Sequence, residues 1–202
     1  SILMYSDKNE EYDFLGTDRS RLDAIRTIAS EQFEKIGRSM DVCKGNKLTA
    51  ATIETVDLKQ CVLQAIDRSY VDFEVEKKFC DEDVIICGEK DHITESIVCV
   101  LNNAYDSMRK KEENERHIEV VVGIDKPYYY IEVTDNGEGI EKNKIGAVFD
   151  AFYSTKKGGS NYGLGLAYVK KTINAFGGDV KIKSKVGVGT TLQLFFNMSD
   201  LH

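Results

Sequence analysis

Two stretches of alternating character, Ile118–Ile124 and Tyr128–Thr134, are separated by only Asp125-Lys126-Pro127. Three residues can turn a hairpin but cannot carry a crossover, so these strands must pair antiparallel. The arrangement returns near the C-terminus, where Val180–Ser184 and Thr190–Phe196 flank a turn around Gly187 and Gly189. Helix-period stretches precede each pair. Asp91–Met108 places Ile93, Ile97, Leu101, Ala104 and Met108 on one face, and Leu164–Phe176 does so with Leu166, Val169, Ile173 and Phe176. Leu58–Ser69 reads as another helix, and Phe73–Phe79 and Val84–Cys87 as short strands. Helices mixed with hairpins argue against a doubly wound parallel sheet. They predict a two-layer α/β sandwich: a mixed sheet with helices on one face.

A long helix over residues 17–44 precedes this domain. Leu22, Ile25, Ala29, Phe33, Ile36 and Met40 form one apolar stripe, with Thr17 or Asp18 as a cap and Gly45-Asn46 as a stop. Such a stripe needs a partner, either a second copy in a homodimer or the neighbouring domain. Residues 45–57 read as a connector. The expected organisation is therefore a helical segment with linker over 1–55 and the main domain over 56–202.

The chain has 202 residues, and its 27 basic against 34 acidic side chains give a net charge of −7. That balance argues against nucleic-acid binding, which wants a basic surface. The longest apolar run, Ile97–Leu101, is far short of the ~20 residues of a membrane span, so no membrane contact is expected. The start at Ser1 lacks the features of a signal peptide and suggests a piece of a longer parent. Five cysteines, an odd number with no C-x-x-C pair, read as reduced thiols in a cytoplasmic setting.

Three segments carry the chemistry. Gly163-Leu164-Gly165-Leu166 opens a helix, where converging N–H groups and a partial positive charge suit a phosphate. Around it, Ala151–Gly178 contains no acidic residue but four lysines, Lys156, Lys157, Lys170 and Lys171. A P-loop is excluded because Leu164 stands where its Lys belongs, and a dinucleotide fingerprint is disfavoured because no strand directly precedes Gly163. The second segment, Asp135-Asn136-Gly137-Glu138-Gly139-Ile140, ends a strand. It reads either as a simple turn or as a carboxylate accepting a hydrogen bond from an exocyclic amine. In the third, Glu95, Cys99, Asn103 and Ser107 share one face of the 91–108 helix, where Asn103 could offer an oxygen to a hard cation or simply face solvent.

These segments in this order, with a phenylalanine motif between them, resemble the ATP-binding catalytic domain of sensor histidine kinases, in the superfamily shared with gyrase, Hsp90-type chaperones and MutL repair proteins. The resemblance covers roughly Val56 to Met198. Glu95–Met108 is similar to the asparagine box, Asp135–Ile140 to the first glycine box, and Phe149-Asp150-Ala151-Phe152-Tyr153-Ser154-Thr155-Lys156 to the phenylalanine box. Gly163–Leu166 resembles the second glycine box and Gly187–Thr190 the last. The resemblance implies ATP and Mg²⁺ as cofactors, with Asn103 as the metal ligand and, together with Lys156, a catalytic residue. Asp135 would bind the adenine amino group, with Gly139 and Thr190 lining its pocket. Gly137, Ile140, Thr155 and Tyr162 would complete the ATP contacts. Lys156 would approach the phosphates, Ser154–Tyr162 would form a lid, and Gly163, Leu164, Gly165 and Leu166 would hold the phosphate chain.

The departures from the family pattern bear on function. Cys99 stands where the asparagine box usually has a second Asn, or a Glu in hydrolytic members, and Ala151 stands where the phenylalanine box usually has Pro. None of His92, His117 and His202 sits in the long N-terminal helix, so the phosphoacceptor histidine is expected on a helix outside this chain. The function implied is the catalytic fragment of a protein-histidine kinase. Its partners would be that phosphoacceptor helix of the parent kinase and a response regulator, with homodimerisation through the 17–44 helix. The parent would be cytoplasmic or anchored in the membrane upstream. Two other readings stand beside it: a non-catalytic nucleotide-binding module and an anti-sigma-type protein-serine kinase of the same fold.

Overall fold

A computed structural model describes residues 54–153 and 163–198. The expected helix over 17–44, the expected lid at 154–162 and the site residues Thr155, Lys156 and Tyr162 lie outside the described residues.

The chain enters through β1 (Glu54–Asp57), which pairs antiparallel with β3 (Ile85–Gly88) in a small two-stranded sheet. Residues 54–57 therefore form a strand and not the end of a connector. Asp57 closes that strand and starts α1 (Leu58–Arg68), its Oδ1 accepting from the Lys59 amide at 2.8 Å as an N-cap. α1 buries Leu58, Cys61, Val62 and Ala65. The strand expected over 73–79 begins only at Glu76, as β2 (Glu76–Phe79). Phe73 instead stacks on the Tyr105 ring, with centroids 6.1 Å apart.

α2 (Lys90–Ser107) follows, with Ile93, Ile97, Leu101 and Ala104 buried as its period demands and Met108 buried just beyond its end. The hairpin of β4 (Ile118–Asp125) and β5 (Tyr128–Asp135) turns at Lys126-Pro127, as its short connection required. Then come α3 (Gly165–Ala175), β6 (Asp179–Lys185) and β7 (Gly189–Asn197).

The main sheet runs β2-β4-β5-β7-β6, parallel at the β2–β4 pair and antiparallel elsewhere. Its register lines up Val120, Val133 and Leu192 in one row and Val122, Ile131 and Leu194 in the next. These rows make one buried face, which shares a core with Ile93, Ile97 and Leu101 of α2 and Val169 and Ile173 of α3. The opposite face mixes polar pairs with an aromatic group of Tyr128, Tyr130 and Phe195; Gln193 Nε2 donates to Glu132 Oε2 at 2.6 Å, and the Thr134 and Thr191 hydroxyls are 3.0 Å apart. Gly123 interrupts β4 on that face because Tyr130 lies across it: a Cβ there would stand 2.6 Å from the tyrosine Oη. The result is the two-layer α/β sandwich that the hairpins implied, with its helices on one face. Among the described residues no helix is long and apolar enough to cross a membrane.

Candidate functional site

Asp135 ends β5 on the buried side of the sheet and is only 7% exposed. Its Oδ1 accepts from the Gly137 amide at 2.8 Å and from the Ser107 hydroxyl at 2.9 Å, and the Thr190 amide also donates to the carboxylate. Burial is the largest influence on this group and lifts its pKa above the usual carboxylate value, while the three donors pull it back. Gly137 is required by contact: a Cβ there would sit 1.9 Å from Ser107 Oγ and 2.8 Å from Asp135 Oδ1. An ionised carboxyl held in this way is a directional acceptor in a dry pocket, suited to an amine N–H.

The loop after Asp135 is tied from two sides. The Glu138 amide donates to Ser107 O at 3.0 Å, and the Gly187 amide at the tip of the β6–β7 hairpin donates to Glu138 O at 2.8 Å. Gly139 has φ +69, and a side chain there would run into Lys185 O at 2.2 Å. The Ile140 amide donates to Ser184 Oγ at 2.8 Å, and the same hydroxyl contacts Gly189 O and Thr190 Oγ1. Ser184 therefore joins the first and last glycine segments. Sequence reasoning passed over it, although a serine on the same side of β6 as Val180 and Ile182 was a signal.

Along α2, Cys99, Asn103 and Ser107 follow at four-residue steps, about 6 Å apart along the helix axis. Asn103 Nδ2 donates to Cys99 O at 2.9 Å, which leaves Oδ1 as the end of the side chain offered away from its own helix. A Cβ at Gly165, the first residue of α3, would stand 3.6 Å from Asn103 Nδ2 and 4.0 Å from Cys99 Cβ. α3 has no side-chain cap and no acidic residue in its first turn, so its leading N–H groups are not taken up by a capping side chain. Leu164 is buried at its start, and Leu166 packs partly buried against the core. Gly163, with φ +68, accepts a hydrogen bond at its carbonyl from the Phe152 amide at 3.0 Å.

The structure thus brings Asp135, Gly137, Gly139, Ile140 and Thr190 around one end of α2, and Asn103 against Gly165 one turn away. It does not bring in every residue of the asparagine-box face. Glu95 Oε2 takes Arg68 of α1 at 2.9 Å instead. Asn102 is turned to the loop after α1, where its Oδ1 accepts from the Tyr70 amide at 3.1 Å. Asn103 supplies one neutral, hard oxygen, and a magnesium ion carried by nucleotide phosphates asks for only one or two protein ligands, so this donor fits that ion.

Comparison with known proteins adds the following. The model of a family described as "Histidine kinase-, DNA gyrase B-, and HSP90-like ATPase" matches residues 88–200. The sensor protein RprX of Bacteroides fragilis is 36% identical over 110 residues, covering 52% of this chain and 21% of that protein. The signal transduction histidine-protein kinase ArlS of Staphylococcus aureus is 28% identical over 153 residues, covering 73% of this chain and 33% of that protein. The chain thus spans a fifth to a third of the length of these relatives. The solved structure of the mycobacterial sensor histidine kinase MprB superposes with a TM-score of 0.61 at 23% identity, covering 72% of this chain and 97% of that one, a likeness of fold.

Proposed function

This chain belongs to the histidine kinase-, DNA gyrase B- and HSP90-like ATPase family, and from that premise we propose that it is the catalytic part of a sensor histidine kinase. In this reading it binds ATP with Mg²⁺ and hands the γ-phosphoryl group to a histidine on a helix outside the chain. The observation that carries the reading is the pairing of two unlike recognition points on adjacent turns of α2. At Ser107 stands the buried Asp135 with its donors, and one turn back along the helix Asn103 faces the uncapped start of α3.

Asp135 accepts a hydrogen bond from the adenine amino group, and Gly137, Gly139, Ile140 and Thr190 shape the pocket around the base. Asn103 Oδ1 would hold the metal, which would supply charge neutralisation of the phosphates. The first amides of α3 at Gly163–Leu166 receive the phosphate chain, and Lys156 and Thr155 meet it from the 154–162 segment together with Tyr162. Phosphoryl transfer asks for positioning and charge compensation more than for covalent help, which suits this inventory. An imidazole nitrogen attacks the γ-phosphorus as its bond to the bridging oxygen breaks, and ADP leaves. Position 99 carries a thiol, a poor base for activating water, so hydrolysis is slow and the phosphoryl group is kept for the acceptor.

Further parts of the proposal are a cytoplasmic setting, a response regulator as the next acceptor and dimerisation through residues 17–44. The test is transfer from radiolabelled ATP to an added phosphoacceptor helix. An acid-labile, magnesium-dependent product is expected, and Asn103→Ala abolishes it. An acid-stable product would mean the serine-kinase alternative. Cys99 favours a second reading, a module that binds nucleotide without transferring it, and ATP binding with no transfer to any histidine partner would select that reading.

A further inference from the structure

α3 begins with neither a capping side chain nor an acidic first turn, so neither device sets where its leading N–H groups point. What it does have is a set of contacts along a single stripe of α2. His92, Cys99 and Asn103 are seven and then four residues apart, which brings all three within about 40° of one another around the helix. Gly165 lies against Cys99 and Asn103. Tyr168, one turn further along α3 and therefore on the same side as Gly165, meets the third residue of that stripe.

This last contact is polar within an apolar setting. Tyr168 is 1% exposed, and its hydroxyl lies 2.8 Å from His92 Nδ1. The other ring nitrogen, Nε2, lies 3.2 Å from Glu89 Oε2, with the Glu89 side chain 12% exposed. When Nε2 carries its proton toward Glu89, Nδ1 is left with its lone pair and accepts from the tyrosine. The carboxylate thereby selects the tautomer that can hold Tyr168.

We propose that Glu89, His92 and Tyr168 form a positioning chain that sets the rotation of α3 about its own axis, so that the amides at Leu164–Leu166 face Asn103 when nucleotide phosphates bind. None of the three touches nucleotide in this scheme. The inference rests on the nucleotide reading above, and it assigns to these residues an effect confined to the phosphate end. The pocket around Asp135 is built from β5, the β6–β7 hairpin and the far end of α2, so it should be indifferent to a small rotation of α3.

The test titrates the full chain with Mg·ATP and, separately, with adenosine, which offers the base and no phosphates. Tyr168→Phe and His92→Leu each weaken Mg·ATP roughly 3- to 10-fold, the loss expected for one hydrogen bond, and leave adenosine unchanged. His92→Asn places an amide near the Nδ1 position and recovers most of the Mg·ATP affinity, which a simple packing role would not do. Unchanged Mg·ATP binding in Tyr168→Phe, equal losses for both probes, or no recovery in His92→Asn would each overturn the proposal. Should His92→Leu fail to fold, Tyr168→Phe, which removes only an oxygen, decides alone. Absence of Mg·ATP binding by the unsubstituted chain would instead overturn the nucleotide reading itself.

Discussion

Two successive turns near the C-terminal end of α2, at Ser107 and at Asn103, are built on opposite plans. Around Ser107 and Asp135 the contacts are short, directional, buried or part-buried hydrogen bonds, and the pieces come from α2, β5, β6 and β7. At Asn103 the geometry is open: a single amide side chain, a glycine at van der Waals distance and a helix start with no cap. The contrast teaches how one site can be both selective and tolerant. A buried carboxylate surrounded by fixed donors discriminates among ligands, because a wrong partner leaves polar groups unpaired in a dry place. A helix start with main-chain donors takes any phosphate and adapts as the charge on it changes.

Glycine substitutions should break the contrast most visibly. Gly137→Ala drives a methyl into Ser107 and Asp135, with 1.9 Å where contact needs more than 3 Å. It is expected to cost about 1–3 kcal/mol of stability through overpacking and to weaken ATP by roughly 100-fold, because both pocket residues must move. Gly165→Ala meets only ordinary contacts, at 3.6 and 4.0 Å, and is expected to hold or slightly raise stability, as alanine favours a helix by about 1 kcal/mol. Thermal melts of the two variants check the difference. Equal destabilisation would mean that the two turns are not built on different plans.

Asp135→Asn comes next and sharpens the comparison by charge. Losing a charged acceptor should weaken ATP about 10- to 100-fold and leave binding of inorganic polyphosphate unchanged. Stability moves the other way. Burial raises the Asp135 pKa above its unfolded value, so the native state holds this proton more tightly. The ionised group therefore opposes folding above its folded pKa, and the penalty vanishes as pH falls below the unfolded one. The unliganded Asp135→Asn chain should melt higher than the original at neutral pH, with the gap closing in acid. A lower melting point at neutral pH would mean that the three donors outweigh burial.

Much of this was legible in the residues, for a physical reason. The hairpins were forced by connection length and the inner face of α2 by its period, while Asp135-Asn136-Gly137-Glu138-Gly139 read as either a turn or an amine acceptor until the family resemblance gave it a role. What escaped notice depends on partners distant in the chain. β1 offers a single buried residue, Val56, and becomes a strand only through β3, more than twenty residues later. Phe73 and Val75 alternate like a strand, yet Phe73 leaves to stack on Tyr105. The His92–Tyr168 bond spans 76 positions, and no local pattern announces it. Ser107 lay in between. Its place on the Asn103 face was readable from helical spacing, but its bond to Asp135 needed the sheet register.

Ser107→Ala tests that bond at smaller scale. The hydroxyl has one proton and two acceptors, Asp135 Oδ1 at 2.9 Å and Ala104 O at 2.7 Å, so the carboxylate receives only part of it. The expected loss in ATP affinity is about 3- to 10-fold, below that of Asp135→Asn. A loss as large as that of Asp135→Asn would make Ser107 itself a ligand contact.

The smallest effect separates two adjacent residues. Asn102 and Asn103 are about 100° apart around α2, and the proposed function gives them different work. Asn102 Oδ1 accepts from the Tyr70 amide, and its backbone carbonyl accepts from the Tyr70 hydroxyl at 3.3 Å, which pins the loop after α1 to this side of α2. Asn102→Ala should therefore cost about 0.5–1.5 kcal/mol of stability, the worth of one hydrogen bond, with no change in Mg·ATP affinity. Asn103→Ala should do the reverse, sparing the melting point and removing the magnesium dependence of ATP binding. Two neighbours on one helix turn would then divide cleanly between holding the fold and holding the ligand. A magnesium-dependent effect at Asn102 would show that the open end of the site reaches further around the helix than the contact between Gly165 and Asn103 implies.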